Sequence, residues 1–265
     1  MKRPFWIRLV PTPVKEKVYR RLYRARANRW PELFQAASLH FMPNVKMMLQ
    51  PDDISHGYIA FAGYHELALT RRMVEHARCG GLLADVGANF GYYSLLWAGC
   101  RPDNHVIAFE ASPRNCQGLH QNIRVNGLSS QITVREVAVG KTVGRVQFMV
   151  DPNGQGSWSG ISAEQAPNTI DVPIITLDSF FDHGEVIAVL KVDVEGADAW
   201  VLQGASELLQ QRRIRRVYFE QNKVRMRSLG IHESEATSFL SGLSYAVQPI
   251  SDPRSRIVEY TAFPT

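Results

Sequence analysis

From about Gly80 the chain alternates between two hydrophobic patterns. Short apolar runs such as Leu82–Val86 and Val186–Val194 give way to stretches in which apolar residues return every three or four positions. The first pattern predicts buried strands, the second helices that pack on them by one face. Strands are expected at Leu82–Val86, His105–Glu110 and Ile132–Val139, with helices at Tyr92–Gly99 and Pro113–Asn126 between them. Arg145–Val150 and Ile170–Ile175 read as strands flanking a polar, Gly/Ser-rich loop. Val186–Val194 and Ile214–Glu220 are further strands, Ala197–Gln211 and Glu233–Leu240 helices, and Tyr245–Ile250 with Ile257–Ala262 a closing hairpin. Alternation of this kind points to an α/β fold whose parallel sheet is covered on both faces by helices. One such domain is expected over residues 63–265, preceded by a basic helical extension over residues 1–62.

Charge sharpens that division. Residues 1–30 hold ten Lys and Arg against the single acid Glu16, leaving 20 bases and 24 acids in the rest. The net charge of +5 therefore belongs to the leader. Val14–Arg29 is expected to be a helix, with Val18 and Leu22, and Tyr19 and Tyr23, each four apart on one face. Such a helix, with Phe5, Trp6, Ile7 and Leu9 before it, either packs on the domain or lies on an anionic bilayer surface. No apolar run approaches the roughly 18–20 residues that cross a bilayer, and no nucleic-acid module accompanies the charge. Cys79, Cys100 and Cys116 show no metal-binding spacing, as for reduced thiols in a cytoplasmic protein.

Candidate chemistry gathers in "LLADVGANFGYYSLLWAG", Leu82 to Gly99, where a strand hands over to a helix. In open parallel sheets ligands bind beyond the carboxyl ends of strands, which is where Asp85, Gly87, Asn89 and Gly91 fall. The dinucleotide pattern G-x-G-x-x-G fails, because Asn89 and Tyr92 occupy its second and third glycine positions. No Gly-Lys-Ser/Thr follows, so a P-loop is excluded. Asp85 would repel pyrophosphate and suits an ammonium group. Glu110, ending the next strand, stands where a carboxylate accepts both hydroxyls of a ribose. A ligand with an amino-acid end, a ribose and no phosphate fits both, and S-adenosylmethionine is such a ligand.

"LLADVGANFGYYSL", "VIAFEASPRNCQGLHQNI", "VAVGKTVGRVQF", "ITLDSF" and "VLKVDVEGADAWVLQGASELL", in this order, resemble the FkbM-type methyltransferases. The resemblance runs from about Gly63 to Glu220. It implies a class I methyltransferase fold, Rossmann-like and seven-stranded with one antiparallel strand, S-adenosylmethionine as methyl donor, and a hydroxyl acceptor on a sugar, glycolipid or polyketide. It also implies that Asp85, Gly87, Asn89 and Gly91 form the donor loop and that Glu110 binds the ribose. By the same resemblance Ser112 and Pro113 line the adenine and Glu66 helps hold the methionine end. Ala111 stands where the family often has proline.

Methyl transfer to a hydroxyl gains from a general base within hydrogen-bond reach of the acceptor. Asp193 and Glu195 in "KVDVEG" end the strand across from the donor loop, and Asp193 is the first candidate for base. Glu195, followed by Gly196, also suits the start of a helix. His65, beside Glu66, is the most suggestive histidine, ahead of His56 and His183. Asp193, Glu220 and Asn222 form a candidate oxygen-ligand set for Mg²⁺. Trp158, in the loop Asp151 to Asn168, is a candidate platform for an acceptor sugar. Two other classes remain at this point. A nicotinamide dehydrogenase is disfavoured by the failed glycine pattern. A membrane-bound module without catalysis is disfavoured by the intact donor loop.

Overall fold

The computed structural model describes residues 3, 7, 9–24, 29–151, 158–163, 165–181 and 184–265. Seven strands form the central sheet: β1 (Leu82–Val86), β2 (His105–Phe109), β3 (Ile132–Arg135), β4 (Ile187–Val192), β5 (Val217–Asn222), β6 (Tyr245–Pro249) and β7 (Ile257–Pro264). Their order is β6-β7-β5-β4-β1-β2-β3, and only β7 runs against the rest. The chain moves outward from β1 to β3 and then returns to start β4 on the other side of β1. Such a reversal opens a crevice beyond the carboxyl ends of β1 and β4. This is the class I methyltransferase arrangement.

Helices cover both faces: α1 (Ile54–Ala62), α2 (Leu67–Cys79), α3 (Tyr92–Ala98), α4 (Pro113–Val125), α5 (Asp198–Gln203), α6 (Ser206–Gln210) and α7 (Lys223–Ser228). Strand periodicity divides β1 between two cores. Leu83 packs with Trp97, Met73 and Phe61, while Ala84 and Val86 pack with Leu190, Val201 and Phe109. The first core continues through Phe61 to Tyr19, so residues before and after 63 share it. Asp53 starts α1, its Oδ1 accepting from the backbone N–H of Ser55 and of His56 at 2.9 and 3.0 Å.

Three elements differ from the sequence expectation. Ile132–Val139 is not one strand: it leaves the central sheet after Arg135, and Ala138–Val139 joins a second sheet with Thr169–Ile175, Gly144–Met149 and Gly160–Ile161. Ala197–Gln211 is not one helix but α5 and α6. A Cβ on Gly204 would lie 2.0 Å from the Gly140 carbonyl oxygen, so backbone meets backbone at the break. The Asp178 carboxylate then caps α6, accepting from the N–H of Glu207 and Leu208 at 2.9 and 3.0 Å. In the leader, Thr12–Val14, Lys15–Val18 and Tyr19–Tyr23 form successive 3₁₀, α and π turns. Tyr19 and Tyr23 each sit 5.2 Å from the Phe61 ring, whereas Leu22 and Leu9 are exposed. Phe5 and Trp6 lie outside the described residues. No described helix is long and apolar enough to cross a membrane.

Candidate active site

One cleft lies beyond the carboxyl ends of β1, β2 and β4, with about 950 Å³ of space between atoms, its open mouth included. Gly87, Asn89, Glu110, Lys191, Asp193, Glu195 and His65 all line it.

The loop after β1 is fixed by its neighbours. The N–H groups of Gly87 and Ala88 both donate to the Phe109 carbonyl at 3.0 Å. Gly87 sits at φ +77°, and a Cβ there would lie 1.9 Å from the Asp193 carbonyl oxygen, so only glycine lets the ends of β1 and β4 meet. Asn89, at φ +52°, accepts from the Phe90 N–H with its own Oδ1 at 2.7 Å. The Glu110 carboxylate takes the Asn89 N–H on Oε2 and the Ser112 N–H on Oε1, both at 2.8 Å. Burial raises the Glu110 pKa against these two bonds. The Asn115 side chain adds a third bond to this carboxylate, which with about four lone-pair sites in all keeps one for a ligand hydroxyl.

Other residues expected in the loop stand behind it. Asp85 is buried, with Oδ2 accepting from Ser94 Oγ at 2.6 Å and Oδ1 lying 3.6 Å from Lys191 Nζ. The ammonium it faces is therefore the chain's own. Gly91 starts α3 at φ +87°, where a Cβ would meet Leu119 at 2.4 Å. Ser112 is the buried cap of α4 and Pro113 its first residue, while Ala111 and Asn115 line the cleft beside them.

Charged groups crowd around Lys191, with Asp193, Glu195 and His65 lining the cleft and Glu66 in the adjoining hollow. Lys191 Nζ, buried, lies 3.3 Å from Asp193 Oδ2 and donates to the Gly87 carbonyl at 3.2 Å. Burial lowers its pKa, but Asp193, Asp85 and Glu66 outweigh that and hold it charged. Glu66 receives the Tyr93 hydroxyl at 2.7 Å and His65 Nε2 at 3.1 Å. Burial pulls the His65 pKa down, yet the Glu66 carboxylate more than offsets it and raises it to about 9. Glu66 is drawn down to about 2 by His65 and Tyr93, against burial. Glu195 accepts from Asn222 Nδ2 at 3.0 Å, and burial, reinforced by Asp193, pushes its pKa up to about 8. Glu66, Asn89 and Glu195 are three of the five described non-glycine residues with positive φ. Unfavourable backbone of this kind gathers where a site over-determines it.

These shifts set a pH dependence. A buried acid with raised pKa keeps a proton that the unfolded chain loses above about 4.5, so Glu195 withdraws stability as pH rises from there toward about 8. His65, raised, contributes fully below about 6.5 and loses its contribution as pH rises through about 9. The Glu66 contribution is present above about 4.5 and is lost as pH falls toward 2. Both Glu195 and His65 thus slope downward between pH 6.5 and about 8, and His65 alone continues to about 9. Thermal midpoints at constant ionic strength should fall across that window, and His65→Gln should flatten the fall. A midpoint that holds or rises would contradict these proton assignments.

The cation expected at Asp193, Glu220 and Asn222 finds no such ligand set. Asn222 is occupied at both ends, its Nδ2 on Glu195 and its Oδ1 accepting from the Arg225 N–H at 3.3 Å. Glu220 faces a small hollow lined also by Asp193, Lys191, Glu66 and Glu259, where burial and then the Asp193 and Glu66 carboxylates raise its pKa. Among the described residues no three His, Cys, Asp or Glu side chains converge as a metal site. Trp158 is exposed, and the cleft is lined instead by Ser159 and Gly160 next to it. His56 lines the cleft with its Nδ1 accepting from the Gln50 N–H, while His183 lies outside the described residues. Lys191 and Tyr93 carry no role in the sequence reading. The signal for Lys191 was a lysine inside the apolar run "VLKVDV", which requires a buried counter-charge.

The sequence profile of the methyltransferase FkbM domain matches residues 85–242, more than half of the chain. A hexuronic acid methyltransferase, AglP, of Haloferax volcanii is 27% identical over 147 residues, covering 55% of this chain and 58% of that protein. Methyltransferase sdnD of Sordaria araneosa is 26% identical over 156 residues, covering 47% of this chain and 60% of that protein. The match thus spans about three fifths of each relative. Among solved structures, methyltransferase FkbM from Methylobacillus flagellatus superposes with a TM-score of 0.50 at 14% identity, covering 91% of this chain and 60% of that one.

Proposed function

Because the chain belongs to the FkbM methyltransferase family, we propose that it transfers the methyl group of S-adenosylmethionine to a hydroxyl oxygen of a sugar, glycolipid or related natural product. The observation that carries this reading is the single cleft that holds both Glu110 and Asp193. Glu110, fixed by two backbone N–H bonds and by the Asn115 side chain, stands where a ribose hydroxyl can be received. The donor supplies, when bound, a methyl on a sulfonium that an oxygen can attack in line. Alignment of that oxygen and removal of its proton fall to the chain.

Proton states divide the roles of the three catalytic candidates. With a pKa raised to about 9, His65 is an imidazolium at neutral pH and has no free lone pair to take a proton. Glu195, raised to about 8, is mostly the neutral acid there. Asp193, steadied by Lys191 at 3.3 Å, is then the base that accepts the acceptor's proton. His65 and Glu195 bind and orient the acceptor. The hexuronic acid methyltransferase among the relatives favours a sugar-type acceptor.

Calorimetry with S-adenosylhomocysteine and with NAD(P) tests the donor; tight NAD(P) binding with none for S-adenosylhomocysteine would sink the reading. Isotope-labelled methyl transfer into extracts of the producing cell, followed by mass spectrometry, identifies the acceptor. In that assay Asp193→Asn should lower turnover by about 10²–10⁴-fold with S-adenosylhomocysteine affinity unchanged. Full activity in the variant removes Asp193 as the base.

A further inference from the structure

Arg225, in the first turn of α7, carries two buried side-chain nitrogens, Nε and Nη2, with no hydrogen-bond partner among the described residues. These two N–H groups share one edge of the guanidinium, the edge that receives a carboxylate through two parallel bonds. Two arginines among the described residues use that edge in this way on the surface. Arg101 Nε and Nη2 donate to the two oxygens of Asp103 at 2.8 and 2.7 Å, and Arg254 Nε and Nη2 to those of Asp252 at 3.1 Å each. On Arg225 the same edge is buried and bare among the described residues, which is unfavourable for a charged donor.

Its surroundings place it behind the wall of the cleft formed by Gly160 and Glu195. A Cβ on Gly160 would lie 3.0 Å from Arg225 Nη2 and 3.1 Å from Glu195 Cβ, and both Gly160 and Glu195 line the cleft. A side chain at position 160 would come between the guanidinium and that wall. The neighbouring carboxylate, Glu195, has its Oε2 on Asn222 and meets Arg225 as a nearby charge. Glu110 and the donor loop belong to β1 and β2, on the other side of the crevice from β5 and α7.

We infer that Arg225 receives a carboxylate of the methyl acceptor, which makes the acceptor an acidic sugar or a related hydroxy acid. The inference rests on the methyltransferase reading above and names the acceptor's class. A shift of the Gly160 and Glu195 side of the wall brings the anion to the bare edge, and the two bonds then set which hydroxyl faces Asp193.

The test uses the full chain and calorimetry. S-adenosylhomocysteine binding is measured first, and its absence counts against the methyltransferase reading itself. D-Glucuronate and D-galacturonate are then compared with D-glucose and D-galactose, with and without S-adenosylhomocysteine. The acid of each pair should bind at least about tenfold more tightly, as two charge-assisted hydrogen bonds require. Arg225→Gln should reduce that ratio to below about threefold while leaving S-adenosylhomocysteine affinity unchanged, and Arg225→Lys, charged but without the fork, should fall between. Equal binding of acid and neutral sugars, no hexuronate binding at all, or a preference that survives Arg225→Gln overturns the assignment. So does an Arg225→Gln variant that loses S-adenosylhomocysteine affinity, because the carboxylate received would then be the donor's. Unchanged S-adenosylhomocysteine affinity also serves as the control that the variant is folded.

Discussion

Gly87→Ala should lower S-adenosylhomocysteine affinity by at least about 100-fold and reduce the thermal midpoint by about 10 °C. Two effects add. Left-handed backbone at φ +77° costs an alanine roughly 1 kcal/mol more than a glycine. The larger effect is overlap, because the new Cβ would stand 1.9 Å from the Asp193 carbonyl oxygen. That oxygen is backbone, so no rotamer change relieves the contact. The Asp193 N–H donates to the Val86 carbonyl at 3.0 Å, which holds β1 and β4 together at this point. Either the loop or the strand end must therefore move, and both line the cleft. Gly127→Ala separates the two effects: its φ is +67°, but nothing lies within 4 Å of the added Cβ. That variant should lose about 1 kcal/mol and keep full donor affinity. Donor binding in Gly87→Ala within threefold of the parent chain would show that the loop yields, and would defeat the argument.

The same contact explains why parts of the site were legible in the sequence and others were not. Glycine and asparagine between a strand and a helix announce a turn that backbone or ligand approaches closely, and the loop from Gly87 to Gly91 forms that turn. Glu110 was readable because its place at the end of the second core strand follows from the βα unit alone. Asp85 was misplaced because sequence position fixes the end of a strand but not which neighbour claims the carboxylate. Pairing of β1 with β4 sets Asp85 directly beside Lys191, and that register joins residues more than a hundred apart. Arg225 was invisible for a related reason, since its bare edge depends on how α7 packs against Gly160 and Glu195. The split of Ala197–Gln211 likewise required knowing that Gly204 meets Gly140.

Lys191→Met should cost about 3–5 kcal/mol of stability and abolish methyl transfer. Lys191 is 4% exposed and lies between Asp85 at 3.6 Å and Asp193 at 3.3 Å. Methionine fills similar space, so cavity formation contributes little to the effect. What is lost is the counter-charge of Asp85, which is 1% exposed and whose Oδ1 has no hydrogen-bond partner among the described residues. A buried carboxylate without its cation must either remain charged in an apolar setting or take up a proton, and both outcomes oppose folding at neutral pH. Asp85→Asn in the same chain removes that charge, keeps an oxygen for the Ser94 hydroxyl, and should restore most of the lost stability. Activity should stay absent in the double variant, because Lys191 also holds the Gly87 carbonyl at 3.2 Å and steadies Asp193. Denaturant unfolding of the parent, the two single variants and the double variant gives the coupling energy directly. A Lys191→Met cost under about 1 kcal/mol, or no rescue by Asp85→Asn, would mean that the two charges do not depend on each other. Stability restored together with activity would mean that the ammonium supports the fold and has no part in aligning the reacting groups.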